Sequence, residues 1–163
     1  MEYLNVYDEN KNKLSRRILR GERLNENEHI LLSIIIIQNE SDEYLIQKTS
    51  KEKGSVYATT GGHVLYDETS KDAIMREVKE ELGIDISNDE IVFVDSIILG
   101  TPIFDVYYLK KNIDLNDVVM QKEEVSDIVY MSKDKVLNLI EADEFKKSHG
   151  IIFKEFLSNE YKL

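Results

Sequence analysis

Between Gly62 and Gly83 the chain sets glutamates at 68, 77, 80 and 81 and an arginine at 76, and threads Ile74, Val78 and Leu82 among them at four-residue intervals. Residues three and four apart share a helix face, so Glu77, Glu80 and Glu81 form an acidic stripe while Ala73, Ile74, Val78 and Leu82 form an apolar one. Thr69 and Ser70 are good capping residues, Asp72 falls in the first turn, and Gly83 marks a C-terminal stop, so the spacing predicts a helix between them. Like charges at these spacings each cost a helix roughly 0.2–0.5 kcal/mol. A hard cation reverses that penalty: Mg²⁺ takes oxygen ligands, commonly one or two carboxylates with the remainder from water and substrate phosphate. The expectation is a helix that buries one side and turns the other toward a cleft for a metal and a diphosphate.

The residues also fit a longer pattern. Glycine, five residues, Glu, seven residues, then Arg-Glu-aliphatic-x-Glu-Glu-x-Gly-aliphatic runs from Gly62 to Ile84 and resembles the signature of the Nudix hydrolases at all nine specified positions. The segments Tyr44–Lys48 and Thr59–His63 resemble the family as well, which extends the likeness over most of residues 1–132. The resemblance implies an α/β fold, the α/β/α sandwich with a mixed β-sheet between helices. It implies a MutT-like pyrophosphatase in which Glu77, Glu80 and Glu81 bind Mg²⁺ or Mn²⁺, helped by Gly62 through its backbone carbonyl. Arg76 then orients the acidic residues, and Glu68 lies at the edge of the site. Relatives often carry a further Glu in a loop before a late strand, and Gln121–Ser132 resembles that segment, with Glu124 the better match and Glu123 the spare. The expected catalytic set is Glu77, Glu80, Glu124 and Arg76, and the expected substrate contacts are Glu68, Lys48, Tyr57 and His63.

A metal beside a diphosphate orients it, neutralises its oxygens and lowers the pKa of a bound water, which displaces one phosphoryl group while a carboxylate takes the proton, either a signature glutamate, Glu77 first, or an acid from outside the signature. The leading expectation is Mg²⁺-dependent hydrolysis of a nucleoside diphosphate linked to another moiety, a nucleoside triphosphate first among these. A non-catalytic nucleotide-sensing module is the alternative, but such relatives usually lose signature glutamates and this chain keeps all of them. Tyr7–Asn10, Arg20–Arg23 and His29 further resemble relatives of isopentenyl-diphosphate isomerase. Those isomerases place an essential cysteine two residues before a histidine ligand. Here the histidine match is His63 and the cysteine position is Gly61, so isomerisation lacks its thiol. The chain departs from the family at Tyr57, where Trp is frequent, at Asp67, where Gly is frequent, and at Thr49, where Arg is frequent. Aspartate still suits a left-handed turn, whereas Thr49 removes one phosphate contact. Tyr57, Tyr66, Phe104 and Tyr107 are candidates for a base-stacking wall, although aromatic residues on strands more often fill cores.

The 163 residues are expected to form a single domain, with 1–29 as an N-terminal extension, 62–84 as the signature and 151–163 as a C-terminal helix. A formal charge of −11 argues against nucleic acid as a partner. The absence of cysteine removes disulfides, zinc–thiolate sites and thiol nucleophiles, in keeping with a cytoplasmic location. No targeting segment or membrane span is read, because the longest apolar run, Ile30–Ile37, is far too short for a bilayer. Its β-branched residues mark a buried strand. Further strands are expected at Tyr44–Lys48, Tyr57–Thr60, Ile91–Leu99, Phe104–Leu109 and Asp127–Met131, and helices at Asp134–Glu141 and Ile151–Tyr161. His29 reads as a loop or sheet-edge residue, His63 as a turn or substrate-side contact and His149 as a helix-end residue. A homodimer is compatible with the resemblance, but no interface is visible in the sequence.

Overall fold

The computed structural model describes residues 1–159. In chain order the elements are β1 (Tyr3–Tyr7), β2 (Lys13–Leu19), β3 (Ile30–Gln38), β4 (Tyr44–Thr49), β5 (Tyr57–Ala58), β6 (Thr60–His63) and α1 (Ser70–Leu82). There follow β7 (Val92–Ile98), β8 (Pro102–Lys110), β9 (Val125–Met131), α2 (Lys133–Glu141) and α3 (Lys147–Ser158). Strand β3 is the axis of a mixed sheet: β8 runs parallel to it from Ile30–Pro102 to Gln38–Lys110, and β6 runs antiparallel from Leu32–His63 to Ile35–Thr60. Strand β4 continues the sheet through β9 and β5, and β7 closes the other side as the hairpin partner of β8.

Side chains alternate across a strand, so an isoleucine run stays apolar throughout only if both sheet faces are covered. That is the arrangement here. Ile34 and Ile36 pack with Val136, Leu139, Ile152 and Phe153 of α2 and α3. Ile35 and Ile37 pack with Ile74, Val78 and Leu82 of α1 on the opposite face. The expected layered α/β fold is therefore observed. Among the described residues no helix is long and apolar enough to cross a membrane.

Three features differ from the sequence reading. The N-terminal extension contains a hairpin, β1 against β2, absent from that reading; His29, which exchanges two 2.8 Å backbone hydrogen bonds with Tyr7, keeps its expected place at a sheet edge. The strand expected at Tyr57–Thr60 is split at Thr59, because the chain leaves β4 and takes up β3 as its partner. Helix α3 begins at Lys147, four residues earlier than expected, so His149 lies in its first turn and is buried. The expected end of that helix at Tyr161 lies outside the described residues.

Candidate active site

Helix α1 is fixed at both ends. Thr69 Oγ1 accepts a 3.1 Å hydrogen bond from the Asp72 amide, and Gly83 closes the helix at φ 68°. Asp67 takes a left-handed φ of 61° and donates its amide to Asn5 Oδ1 at 2.8 Å, tying the turn before the helix to β1. Ala73, Ile74, Val78 and Leu82 are fully buried. The acidic stripe consequently faces a cleft of about 360 Å³ lined by Glu77, Glu80 and Glu81 on one side.

Arg76 organises the glutamates. Its Nε and Nη2 form a fork on Glu68 at 2.8 and 2.9 Å, Nη2 also donates to the His63 carbonyl at 3.0 Å, and Nη1 reaches Glu77 at 2.9 Å and Glu80 at 3.3 Å. A two-pronged guanidinium–carboxylate pair fixes geometry as well as charge. Glu68 is thereby committed to Arg76 and to the Leu65 amide, 3.0 Å away. The guanidinium is held above the usual arginine range, chiefly by its hydrogen bond to Glu68.

Glu81 has a different environment. The residue is 5% exposed; Oε1 accepts from Gln47 Nε2 at 3.3 Å, whereas Oε2 is buried with no hydrogen-bond partner. Burial, reinforced by the charge of Glu77, pushes its carboxyl up to about 8. Burial also raises Glu77 to about 7 against the opposing pull of Arg76. A buried carboxylate oxygen without a partner is costly unless something pairs with it.

These residues fit a divalent cation. The orphaned oxygen of Glu81, the buried carboxyl of Glu77 and the more exposed Glu80 supply hard oxygen donors along one wall. Gly62 lies so close to Glu77 that a Cβ there would collide with its carboxylate, and a Cβ on Gly61 would collide with the Ser33 carbonyl. Both glycines are thus required for β6 to pass between β3 and the acidic stripe. Among the described residues no three acidic or histidine side chains are already gathered as a cage. Arg76 Nη1 holds one oxygen each of Glu77 and Glu80, Oε1 and Oε2 respectively, and leaves the other oxygen of each carboxylate as a donor for a cation.

Glu124 faces the helix from across the cleft. Its loop is anchored by backbone bonds from Val119 to Leu82 and from Gln121 to Glu81, each 2.9 Å, and by the Ser50 amide on the Glu124 carbonyl at 2.9 Å. The Glu124 carboxylate lies 3.6 Å from Lys53 Nζ and lines the cleft. Ser50 Oγ donates to the Glu123 carbonyl at 2.8 Å, and Glu123 is not among the described lining residues.

His63 lines the cleft, and burial, with the charge of Arg20, lowers it to about 4, so it is neutral near pH 7. The structure does not bring the other expected substrate contacts there. Lys48 stands 5.3 Å from the Tyr57 ring centre, and neither residue is among the described lining residues, nor is Glu68. Phe104 and Tyr107 are buried in the core, and Tyr66 stacks near Arg17 at the surface, so the four aromatic candidates do not form one wall.

Several lining residues were not read from the sequence. Arg20 and Glu2, paired at 2.9 Å, come from the N-terminal hairpin. Lys53 ends a short 3-10 helix at Lys51–Lys53 and Lys146 immediately precedes α3; the amine of Lys146 is pushed below the usual lysine range by burial, although the residue is exposed overall and Glu81 opposes the shift. His149 accepts or donates a 2.9 Å hydrogen bond with Thr59 Oγ1, and full burial lowers it to about 3. Only the early pairing of the hairpin with the signature segment would have signalled Arg20; Lys146 carries no local signal.

Comparison with known proteins gives a consistent family. The NUDIX domain model matches residues 29–156. An uncharacterized Nudix hydrolase of Listeria innocua is 35% identical over 151 residues, covering 89% of this chain and 88% of that protein. An NAD-capped RNA hydrolase, NudC, of Pseudomonas aeruginosa is 29% identical over 63% of this chain but only 36% of its own length. Among solved structures, DR0079 from Deinococcus radiodurans superposes with a TM-score of 0.81 at 20% identity, covering 94% of this chain and 98% of that one. The NUDIX domain of Shewanella oneidensis NrtR, complexed with ADP ribose, superposes with a TM-score of 0.65 at 14% identity, covering 82% and 89%.

Proposed function

The chain belongs to the Nudix hydrolases, pyrophosphohydrolases that act on phosphorus-containing acid anhydrides and generally use divalent metal ions; from that premise we propose that it is a Mg²⁺-dependent hydrolase of a nucleoside diphosphate linked to another moiety, with nucleoside triphosphates as first candidates. One observation carries the reading: Glu81, which lines the cleft together with Glu77 and Glu80, holds a buried carboxylate oxygen with no hydrogen-bond partner.

Glu77, Glu80 and Glu81, with Gly62 beside them, are the residues that would hold Mg²⁺, or Mn²⁺ in its place. When bound, the metal supplies charge neutralisation of the phosphate oxygens and a more acidic water. Lys53, Lys146 and Arg20 place cationic groups around the same cleft and offset the repulsion between an acidic protein and an anionic substrate. As the water oxygen bonds to phosphorus and the bridging P–O bond breaks, Glu124 accepts the proton of the attacking water and the leaving phosphate departs with the bond's electrons. Arg76 is a positioning residue, since its donors are spent on Glu68, Glu77, Glu80 and the His63 carbonyl. His63 stands at the cleft wall as a neutral substrate contact.

The likeness to isopentenyl-diphosphate isomerase relatives is proposed to be one of descent, without the isomerase activity. The chain has no cysteine, and Gly61 is packed against Ser33 with no room for a side chain. A single Nudix domain acting from the cytoplasm on small molecules completes the reading. The test is turnover of nucleoside triphosphates, sugar nucleotides, dinucleoside polyphosphates and NADH with Mg²⁺ or Mn²⁺. Chelator-sensitive release of phosphate or pyrophosphate from a triphosphate, or of a mononucleotide from the other compounds, supports the proposal; tight binding of one compound with no turnover of any overturns it in favour of a sensor.

A further inference from the structure

The side chain that holds Glu81 is itself held. Gln47 Nε2 donates to Glu81 Oε1 at 3.3 Å, and Gln47 Oε1 accepts from Thr60 Oγ1 at 2.9 Å. All three residues are buried, and the chain of bonds ends on the carboxylate whose other oxygen, Oε2, has no partner. Both supports stand on paired backbone: Gln47 on β4 pairs with Ala58 of β5 and with Ile128 of β9, and Thr60 on β6 pairs with Ile35 of β3. We propose that Gln47 is a positioning residue for the cation site, that Thr60 fixes the orientation of its amide, and that the two together leave Oε2 as the oxygen Glu81 gives to a divalent ion.

A side-chain amide has one donor end and one acceptor end, whereas an ionised carboxylate only accepts, so the amide must turn its nitrogen toward Glu81 when that group carries charge. The reverse orientation would set oxygen against oxygen. Thr60 gives the carbonyl end its partner, so both ends of a buried amide are satisfied in the one orientation that serves Glu81. Charge favours the same assignment. Arg76 also fixes glutamates, but a guanidinium repels a cation brought to the same carboxylates, whereas Gln47 steers Glu81 without adding charge. Packing alone does not call for an amide here: Leu45, two residues earlier on the same face of β4, packs with Ile74, Val78 and Leu82, and Gln47 follows where the apolar stripe of α1 gives way to Glu81. This inference rests on the metal reading but concerns how the site is held, not the reaction.

The test is Mn²⁺ titration followed by electron paramagnetic resonance, with no nucleotide present. Gln47→Met keeps the length of the side chain, removes both hydrogen bonds and should weaken the tightest Mn²⁺ site by about 10–100-fold, the usual effect of losing a partner that orients a metal ligand. Thr60→Val removes only the donor to the amide and should weaken it by about threefold to tenfold, while Thr60→Ser keeps the hydroxyl and should stay within about twofold of wild type. In a Glu81→Met background, where the positioned ligand is gone, Gln47→Met should change Mn²⁺ affinity by no more than about twofold. Wild-type affinity in Gln47→Met, an equal loss in the Glu81→Met background, or Thr60→Ser as damaging as Thr60→Val overturns the assignment. Should Gln47→Met fail to fold, the Thr60 pair decides alone. Wild-type protein that binds no Mn²⁺ sinks the metal reading together with this inference, whereas a wild-type site indifferent to Gln47 and Thr60 sinks this inference only.

Discussion

Glu81→Gln should stabilise the metal-free protein, and the gain should grow with pH. In the folded chain the Glu81 carboxyl titrates at about 8 against a reference of 4.5, with burial as the main cause. A group whose folded value is raised contributes stability that is fully present below the unfolded value and is lost as pH rises through the folded one. At about 1.4 kcal/mol for each pH unit between the two values, ionising Glu81 costs the folded state as much as ~5 kcal/mol. Water entering the open cleft reduces this to roughly 2–3 kcal/mol. Glutamine carries no charge and retains a carbonyl oxygen for Gln47 Nε2. Thermal unfolding in EDTA should therefore show little difference at pH 5 and a gain of roughly 5–10 °C for the variant at pH 9. Saturating Mg²⁺ should narrow or invert the order, because only the wild type keeps its full donor set and gains the binding energy. A variant no more stable than wild type at pH 9 in EDTA, or a gain independent of pH, would refute the claim that Glu81 is a strained carboxylate awaiting a cation.

Glu124→Gln should lower kcat by about 10²–10⁴-fold with little change in the Mg²⁺ activation constant, as expected for a lost proton acceptor; a loss below threefold in steady-state assays removes it from the mechanism. Gly62→Ala drives a methyl group into the Glu77 carboxylate and should weaken Mn²⁺ binding by about 10–100-fold in a titration followed by electron paramagnetic resonance. Unchanged Mn²⁺ affinity would show that Glu77 can yield without cost. Lys146→Gln removes a cleft cation and should raise KM about tenfold, the scale of one charged hydrogen bond; an unchanged KM would place its amine away from the substrate.

The parts of the molecule legible in the sequence are those written in short-range periodicity. The four-residue spacing of Ile74, Val78 and Leu82 located α1 and its buried face, and the isoleucine run of β3 signalled a strand covered on both sides. The aspartate at position 67 was also readable, since the turn needs a residue that tolerates positive φ. The hairpin β1–β2 was not, because the Lys13–Leu19 strand is largely exposed, Ile18 is its one buried residue, and its alternation is mostly between polar side chains. Residues brought to the cleft by topology were invisible for another reason. Arg20, Lys53 and Lys146 lie far apart in sequence and meet only because β1–β2, the turn after β4 and the start of α3 converge on one end of the sheet. Lys48 and Tyr57 illustrate the converse: adjacent strands pair them with each other, so residues close to the signature in the chain point elsewhere.

The account stands on the acidic face of α1 being a cation site, and anomalous diffraction from crystals grown with Mn²⁺ tests that most directly. The expected map has manganese within bonding distance of Glu77, Glu80 and Glu81 beside Gly62. Manganese bound elsewhere, or an acidic face with no anomalous peak at millimolar Mn²⁺, would contradict it.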